Sequence, residues 1–172
     1  MATAGIMSER LTPRTSFFCP GYATLGRRVF RCSHVHGMQD LIQALAHSCN
    51  VYFFNAGDKI GPDLVHKYAR LYGLGAMTQI DLPFEEKGDV ASRVERRMRK
   101  NQGWYQGDTY NFSIGQGDTL LTPIQILRMM TTIARRGKEV QPHFLRAISG
   151  EKMVKLSTVR SLPISDRVFD IL

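Results

Sequence analysis

The chain has 172 residues, enough for one domain with a real core, and its 43% hydrophobic and 22% charged content is that of a folded globular protein rather than a disordered one. No apolar run reaches the roughly 18 residues of a membrane-spanning helix, and the opening MATAGIMSERLTP lacks the basic start and long apolar stretch of a signal peptide. The net charge of +8 would suit an anionic partner, but no nucleic-acid fold motif and no interleaved aromatics accompany it.

In chain order, MATAGIMSERLTP reads as the tail of a helix entered partway, with Leu11-Thr12-Pro13 as its exit, so the chain is expected to begin inside a larger domain. FFCPGYATLGRRVFRC reads as an irregular hairpin whose ends bring Cys19 and Cys32 together. In DLIQALA, Asp40 to Ala46, the apolar Leu41, Ile42, Leu45 and Ala46 have helical spacing. VYFFNAGDKIG follows, with Val51, Phe54 and Ala56 expected in the core and Gly57 or Gly61 as the stop. PDLVHKYARLYG is a helix with Pro62 in its first turn, Asp63 at the positive end and Gly73 closing it. Its expected buried stripe is Leu64, Val65, Tyr68 and Leu71.

GLGAMTQIDLPFEEKGDV is a long connection holding one extended piece, Gln79 to Leu82. ASRVERRMRKNQ gathers Arg93, Arg96, Arg97, Arg99 and Lys100 on a basic helix, read as a solvated face. NQGWYQGDTYNFSIGQGDTLL is rich in glycine and poor in periodicity, and Gly115 and Gly117 permit a tight backbone path. Thr122 as N-cap and Pro123 at the first helical position start a helix carrying Ile124, Leu127, Met130, Thr131 and Ala134, until Gly137 stops it. QPHFLRAIS and EKMVKLS read as two short strands joined by Ser149-Gly150.

All three cysteines fall between Cys19 and Cys49, with His36 between the last two, in the pattern C-x12-C-x3-H-x12-C. Three thiolates and one imidazole complete a closed tetrahedral zinc site, and closed sites are structural. Gly37 frees the backbone to turn the His36 ring inward, and His34 is the substitute ligand. Two other readings stay open: a Cys19–Cys32 disulfide with Cys49 a buried thiol, or three small core hydrophobes. His47, His66 and His143 read as surface or ordinary hydrogen-bonding side chains.

HGMQDLIQALAHSCNVYFFNAG, QIDLPFE, WYQGDTYNFSIGQG and LLTPIQI, in that order, resemble the transpeptidase domain of class B penicillin-binding proteins, most of all its elongation-specific members. The resemblance implies an α/β (α+β) fold shared with serine beta-lactamases, an antiparallel sheet with helices on both sides, of which this chain would hold mostly the helical part. It implies serine acyl transfer that cross-links peptidoglycan stem peptides, which needs Ser-x-x-Lys, then Ser-x-Asn, then Lys-Thr-Gly or Lys-Ser-Gly. Ser48-Cys49-Asn50 matches the second element. By that resemblance Ser48 relays protons between two lysines, and Asn50 holds the nucleophile's lysine and the acyl side chain of the substrate. Ser48 and Asn50 would then face the cleft while Cys49 points into the metal site. Trp104 and Tyr105 either line a substrate groove or pack in the core.

Two elements of the family pattern are missing. No Lys-Thr-Gly or Lys-Ser-Gly occurs, and the lone Ser-x-x-Lys, Ser149 to Lys152, lies in a turn near the wrong end. The nucleophile and its lysine are expected just upstream of Met1, and the third motif after Leu172. Residues 1–172 would thus be a central part of the domain, with residues 19–49 a zinc-braced hairpin and Ser-x-Asn turn, and would not acylate alone. The resemblance further implies stem peptides and beta-lactams as ligands of the intact domain, and a glycosyltransferase or scaffold as cell-wall synthesis partner. It implies a membrane-anchored parent facing the periplasm, and no nucleic acid. The alternative from another class is a noncatalytic zinc-stabilised binding module that uses its basic helix.

Overall fold

The structure, a computed structural model, describes residues 1–145, 147, 149 and 158–172. Leaving the last two residues aside, it divides into two compact units: Met1–Tyr68 with Ala91–Thr119, and Ala69–Val90 with Leu120–Asp170.

In the first unit α1 (Ala2–Met7) ends at Ser8, and Glu9 takes a positive φ of 58° that turns the chain back. Leu11 then packs onto Gly5 so closely that a Cβ there would stand 2.6 Å from Leu11 Cδ1. β1 (Phe17–Cys19) is followed by the hairpin β2 (Tyr22–Leu25) and β3 (Arg28–Arg31), then by β4 (Gly37–Gln39). β1 pairs antiparallel with β4, placing Cys19 opposite Gly37, while the Cys32 amide donates to Gly21 O at 2.8 Å and closes the hairpin's open end.

Asp40 begins α2 (Leu41–Ala46) with a reciprocal cap: its carboxylate accepts the Gln43 N–H at 2.8 Å and Gln43 Oε1 accepts the Asp40 N–H at 3.0 Å. α3 (Asn50–Ile60) is the core helix, burying Val51, Tyr52, Phe54, Ala56 and Ile60, and Gly61 at φ 82° ends it. Gly57 is therefore no stop; it lies inside the helix. α4 (Pro62–Leu71) buries Val65 alone, with Leu64, Tyr68 and Leu71 only half-buried, so the expected stripe is narrower than its spacing suggested. α5 (Arg93–Lys100) is capped by Ser92 and ended by Asn101 in the left-handed region.

An element the Gly-rich segment did not announce follows. α6 (Gln106–Ser113) packs against α3, with Tyr110 stacked on Phe54 at 4.9 Å and the Phe30 ring edge-on to both. Packing of this kind outweighs the weak local periodicity.

In the second unit no strand forms at Gln79–Leu82. Gln79 has a φ of 59°, and the Glu85 carboxylate gathers the Thr78 N–H at 2.5 Å, the Thr78 hydroxyl at 2.6 Å and the Gln79 N–H at 2.9 Å, which curls the segment. α7 (Pro123–Ala134) starts at Thr122 as expected but buries a polar face, Gln125, Arg128 and Thr132, leaving Leu127 and Met130 exposed. Gln125 donates to Ala76 O and Lys87 O, and Arg128 donates to Gly73 O at 2.6 Å, so these side chains take the place of missing secondary structure in the connection.

β5 (Lys138–Val140) pairs antiparallel with β6 (Thr158–Ser161), and α8 (Asp166–Phe169) closes the unit. Residues 141–145 are not extended into a strand, and Ser149 sits exposed in a turn. The strand read at 151–157 lies outside the described residues, as do residues 146, 148 and 150. The described sheets are small, two strands each, within a mixed fold in which helix outweighs strand. Among the described residues no helix is long and apolar enough to cross a membrane.

Candidate active-site turn and cysteine cluster

The break between α2 and α3 is a single left-handed residue. His47 caps α2, Ser48 takes φ 52°, and Cys49 is the extended N-cap of α3. The His47 N–H donates to Gln43 O and the Cys49 N–H to Ala44 O, which fixes the turn to the helix before it. Ser48 is exposed, Cys49 wholly buried and Asn50 half-buried, so burial alternates along the turn.

Two strands hold the turn from below. The Asn50 amide nitrogen donates to Arg31 O at 3.2 Å, and the Asn50 backbone N–H donates to Cys32 Sγ at 3.2 Å. Buried Gln39 meets His47 Nδ1 at 2.7 Å through Oε1 and donates through Nε2 to His36 O and Met38 O. The sequence carried no signal for Arg31 O or Gln39. One is a backbone atom, and the other is a glutamine whose register became known only with the β1–β4 pairing.

Inside the turn Cys19, Cys32, His36 and Cys49 converge, their ligand atoms all within 4.8 Å of one another. All three thiols are free. His36 Nδ1 lies 3.6 Å from Cys19 Sγ and 3.5 Å from Cys32 Sγ. Bonds of ~2.3 Å to sulfur and ~2.0 Å to nitrogen around one tetrahedral ion would put such S and N atoms ~3.5 Å apart, so these residues fit a shared zinc. Gly37 has a φ of 68°, the freedom expected beside His36. The His34 ring stays outside the cluster, edge-on to His36 at 5.9 Å.

The thiols differ in acidity. Burial opposes ionisation of Cys32, but backbone hydrogen bonds at Val51, His34 and Asn50 and the Cys19 thiol bring it down to about 6. Burial, with the neighbouring Cys19 and Cys32, pushes Cys49 up to about 12. A cation at the centre would favour the thiolate at all three.

Trp104 and Tyr105 are not equivalent. The Trp104 indole donates to Thr109 Oγ1 at 2.9 Å and meets Phe112 edge-on, while Tyr105 is 71% exposed. Asp108 holds the loop, accepting the Tyr105 N–H at 2.8 Å and pairing with Arg96 at 2.8 Å. On α5, Arg93 pairs with Asp63, Arg99 with Glu95 and Lys100 with Asp118, so much of the basic helix is neutralised within the chain. His47, His66 and His143 each make an ordinary hydrogen bond.

The family profile described as the penicillin binding protein transpeptidase domain matches residues 1–172. The chain belongs to that family. Among curated relatives, this transpeptidase-domain chain is 31% identical to the peptidoglycan D,D-transpeptidase MrdA of Haemophilus influenzae over 154 residues, 87% of the chain and 24% of that protein. It is 34% identical to MrdA of Salmonella typhimurium over 149 residues, 84% of the chain and again 24% of the relative. The transpeptidase-domain chain thus spans about a quarter of the length of these relatives.

Similar solved structures include Pseudomonas aeruginosa PBP2 in complex with WCK 5153, with a TM-score of 0.86 at 29% identity, covering 99% of the chain and 40% of that one. PBP2 of Helicobacter pylori in complex with MreC gives 0.82 at 32% identity, covering 98% and 30%.

Proposed function

We propose that residues 1–172 are a central part of a peptidoglycan D,D-transpeptidase domain, contributing the Ser-x-Asn element to serine acyl transfer between cell-wall stem peptides. The observation that carries this is the Ser48 turn. Ser48 projects to solvent from a capped interhelical break, Asn50 is held by Arg31 O, and Cys49 is the buried residue between them. In this reading the Ser48 hydroxyl passes a proton between lysines supplied by the rest of the domain, and Asn50 positions one of them together with the substrate's acyl group. Tyr105, exposed at the start of α6, contacts substrate, and Trp104 anchors the segment before it through Thr109 and Phe112.

The cluster of Cys19, Cys32, His36 and Cys49 holds a structural zinc ion, closed to substrate by its four protein ligands. Its work here is positional: it ties β1, the end of β3 and the segment before β4 to the α2–α3 turn. The intact protein is a membrane-anchored periplasmic enzyme that binds beta-lactams and works with other cell-wall synthesis proteins. The relatives named MrdA and the PBP2 structure solved with MreC support this reading. The sequence holds no Lys-Thr-Gly or Lys-Ser-Gly, and its one Ser-x-x-Lys begins at Ser149, a turn residue, so in this reading residues 1–172 alone do not acylate.

Two measurements test these statements. A chimera in which residues 1–172 replace the matching segment of the Haemophilus influenzae relative should be labelled covalently by a fluorescent penicillin. Ser48→Ala in it should slow labelling by about 10²-fold or more, the usual weight of a proton-transfer group. Residues 1–172 alone should give no labelled band after denaturing electrophoresis. A folded chimera that stays unlabelled would overturn the transpeptidase assignment. For the metal, the purified chain should carry about one zinc, with its thiols titrating only after a chelator is added.

A further inference from the structure

Access separates the three cysteines. Cys19 and Cys49 are wholly buried, whereas Cys32 is half-buried and lines an open cavity of about 470 Å³ with Pro20, Tyr22, Arg31 and His34. Of the three cysteines, Cys32 is the one that lines this cavity, so a small solute entering from that side reaches its residue first. Both buried sulfurs lie within 4.8 Å of it. A disulfide needs ~2.05 Å, a gap of this size that side-chain rotation can close when the Cβ atoms already face one another.

Cys32 also reaches the catalytic-type turn from outside it, since its sulfur accepts the Asn50 N–H at 3.2 Å. That N–H opens α3 and belongs to the residue two after Ser48. Cys32 therefore borders the open cavity, the cluster and the turn.

We infer that Cys32 is an oxidation site through which a hydroperoxide converts the cluster into a disulfide joining Cys32 to one of the two buried cysteines. In the first step the Cys32 thiolate attacks the peroxide oxygen. The S–O bond forms, the O–O bond breaks, and the departing hydroxide or alkoxide takes a proton. In the second step a buried thiolate attacks the sulfenic sulfur, the S–S bond forms, and hydroxide leaves and is protonated to water. Two thiolates lose two electrons, one hydroperoxide gains them, and two protons are consumed. Any metal the sulfurs held loses two ligands and departs, a consequence that rests on the zinc reading above. The Asn50 N–H loses a thiolate acceptor, and the Ser48 turn loosens.

The test treats the purified chain with one equivalent of hydrogen peroxide, follows thiols and released zinc together, and maps the product by non-reducing digestion. Two of three thiols should disappear, the disulfide should contain Cys32, and a limiting alkylating reagent should modify Cys32 about tenfold faster than either buried cysteine in the metal-free protein. Cys32→Ser should retain all remaining thiols under the same treatment, with far-ultraviolet circular dichroism checking its fold.

Mapping of the unmutated chain decides the matter even where that variant misfolds. A Cys19–Cys49 disulfide, sulfinic acid on Cys32 without a disulfide, or thiols that outlast a free-thiol control would each overturn the inference. If the chain proves free of zinc yet forms a Cys32 disulfide, the metal reading alone fails.

Discussion

A Cβ on Gly57 would stand 1.9 Å from the Ser113 hydroxyl, 3.1 Å from Ser113 Cβ and 3.3 Å from Thr109 Cγ2. On an exposed helix, replacing glycine by alanine stabilises by roughly 1 kcal/mol. Here that gain is opposed by a collision between α3 and α6, where Ser113 is itself held by a hydrogen bond to Thr109 O at 2.6 Å. Overpacking of this kind costs about 1–3 kcal/mol, so Gly57→Ala should lower the denaturant midpoint despite the better helix former. Adding Ser113→Ala removes the 1.9 Å contact and leaves the 3.1 Å one, so the double variant should recover part of the loss. A Gly57→Ala chain as stable as the parent would mean that the two helices separate freely, contrary to the packing described.

Elements differ in how far the sequence announces them, and the reason is where their hydrogen-bonding partners come from. α2 and α7 carry their own start signals, Asp40 with Gln43 and Thr122 with Pro123, so their N-termini could be read from neighbouring residues. α6 and the curl before Glu85 could not, because aromatic residues far away in sequence, Phe30 and Phe54, pack α6, and a carboxylate six and seven residues later bends Gln79 and Thr78. In α7 the apolar spacing was legible but not which face is covered, since burial followed the hydrogen-bonding needs of the connection. The cysteine cluster was legible as a set of ligand types, and the hairpin beside it was visible too, but the β1–β4 pairing that sets Cys19 opposite Gly37 was not. The Glu85 arrangement has a pH signature. Burial raises its pKa, but the Thr78 hydroxyl and the Thr78 and Gln79 N–H groups outweigh that and hold it below the ordinary glutamate range. Its stabilisation is therefore complete above the unfolded pKa of about 4.3 and lost as pH falls through the lower folded value. The amide resonances of Thr78 and Gln79 should titrate together with a midpoint below 4.3; a midpoint above it would show that burial prevails.

At the scale of the molecule, the four candidate ligands sit on separate segments of one unit: Cys19 in β1, Cys32 after β3, His36 before β4 and Cys49 between α2 and α3. A metal held there would cross-link nearly every element before α4, while the second unit holds none of the cysteines. Trp104, the one tryptophan in the sequence, also lies in the first unit. Its fluorescence therefore reports that unit's unfolding, and amide exchange in α7 reports the other. Structural zinc contributes folding energy directly, and for a unit of this size each kcal/mol lost lowers Tm by about 4–8 °C. Removing the metal with a chelator should lower the Trp104 transition by about 10 °C or more, and zinc added back should restore it. Protection of the α7 amides below that transition should hardly change, because Gln125 and Arg128 anchor that helix to its own unit at Ala76, Lys87 and Gly73. Loss of α7 protection in step with the Trp104 signal would show instead that the two units unfold as one. An unchanged Trp104 transition would remove the structural role from the cluster while leaving the family membership, which rests on the whole-chain match, untouched.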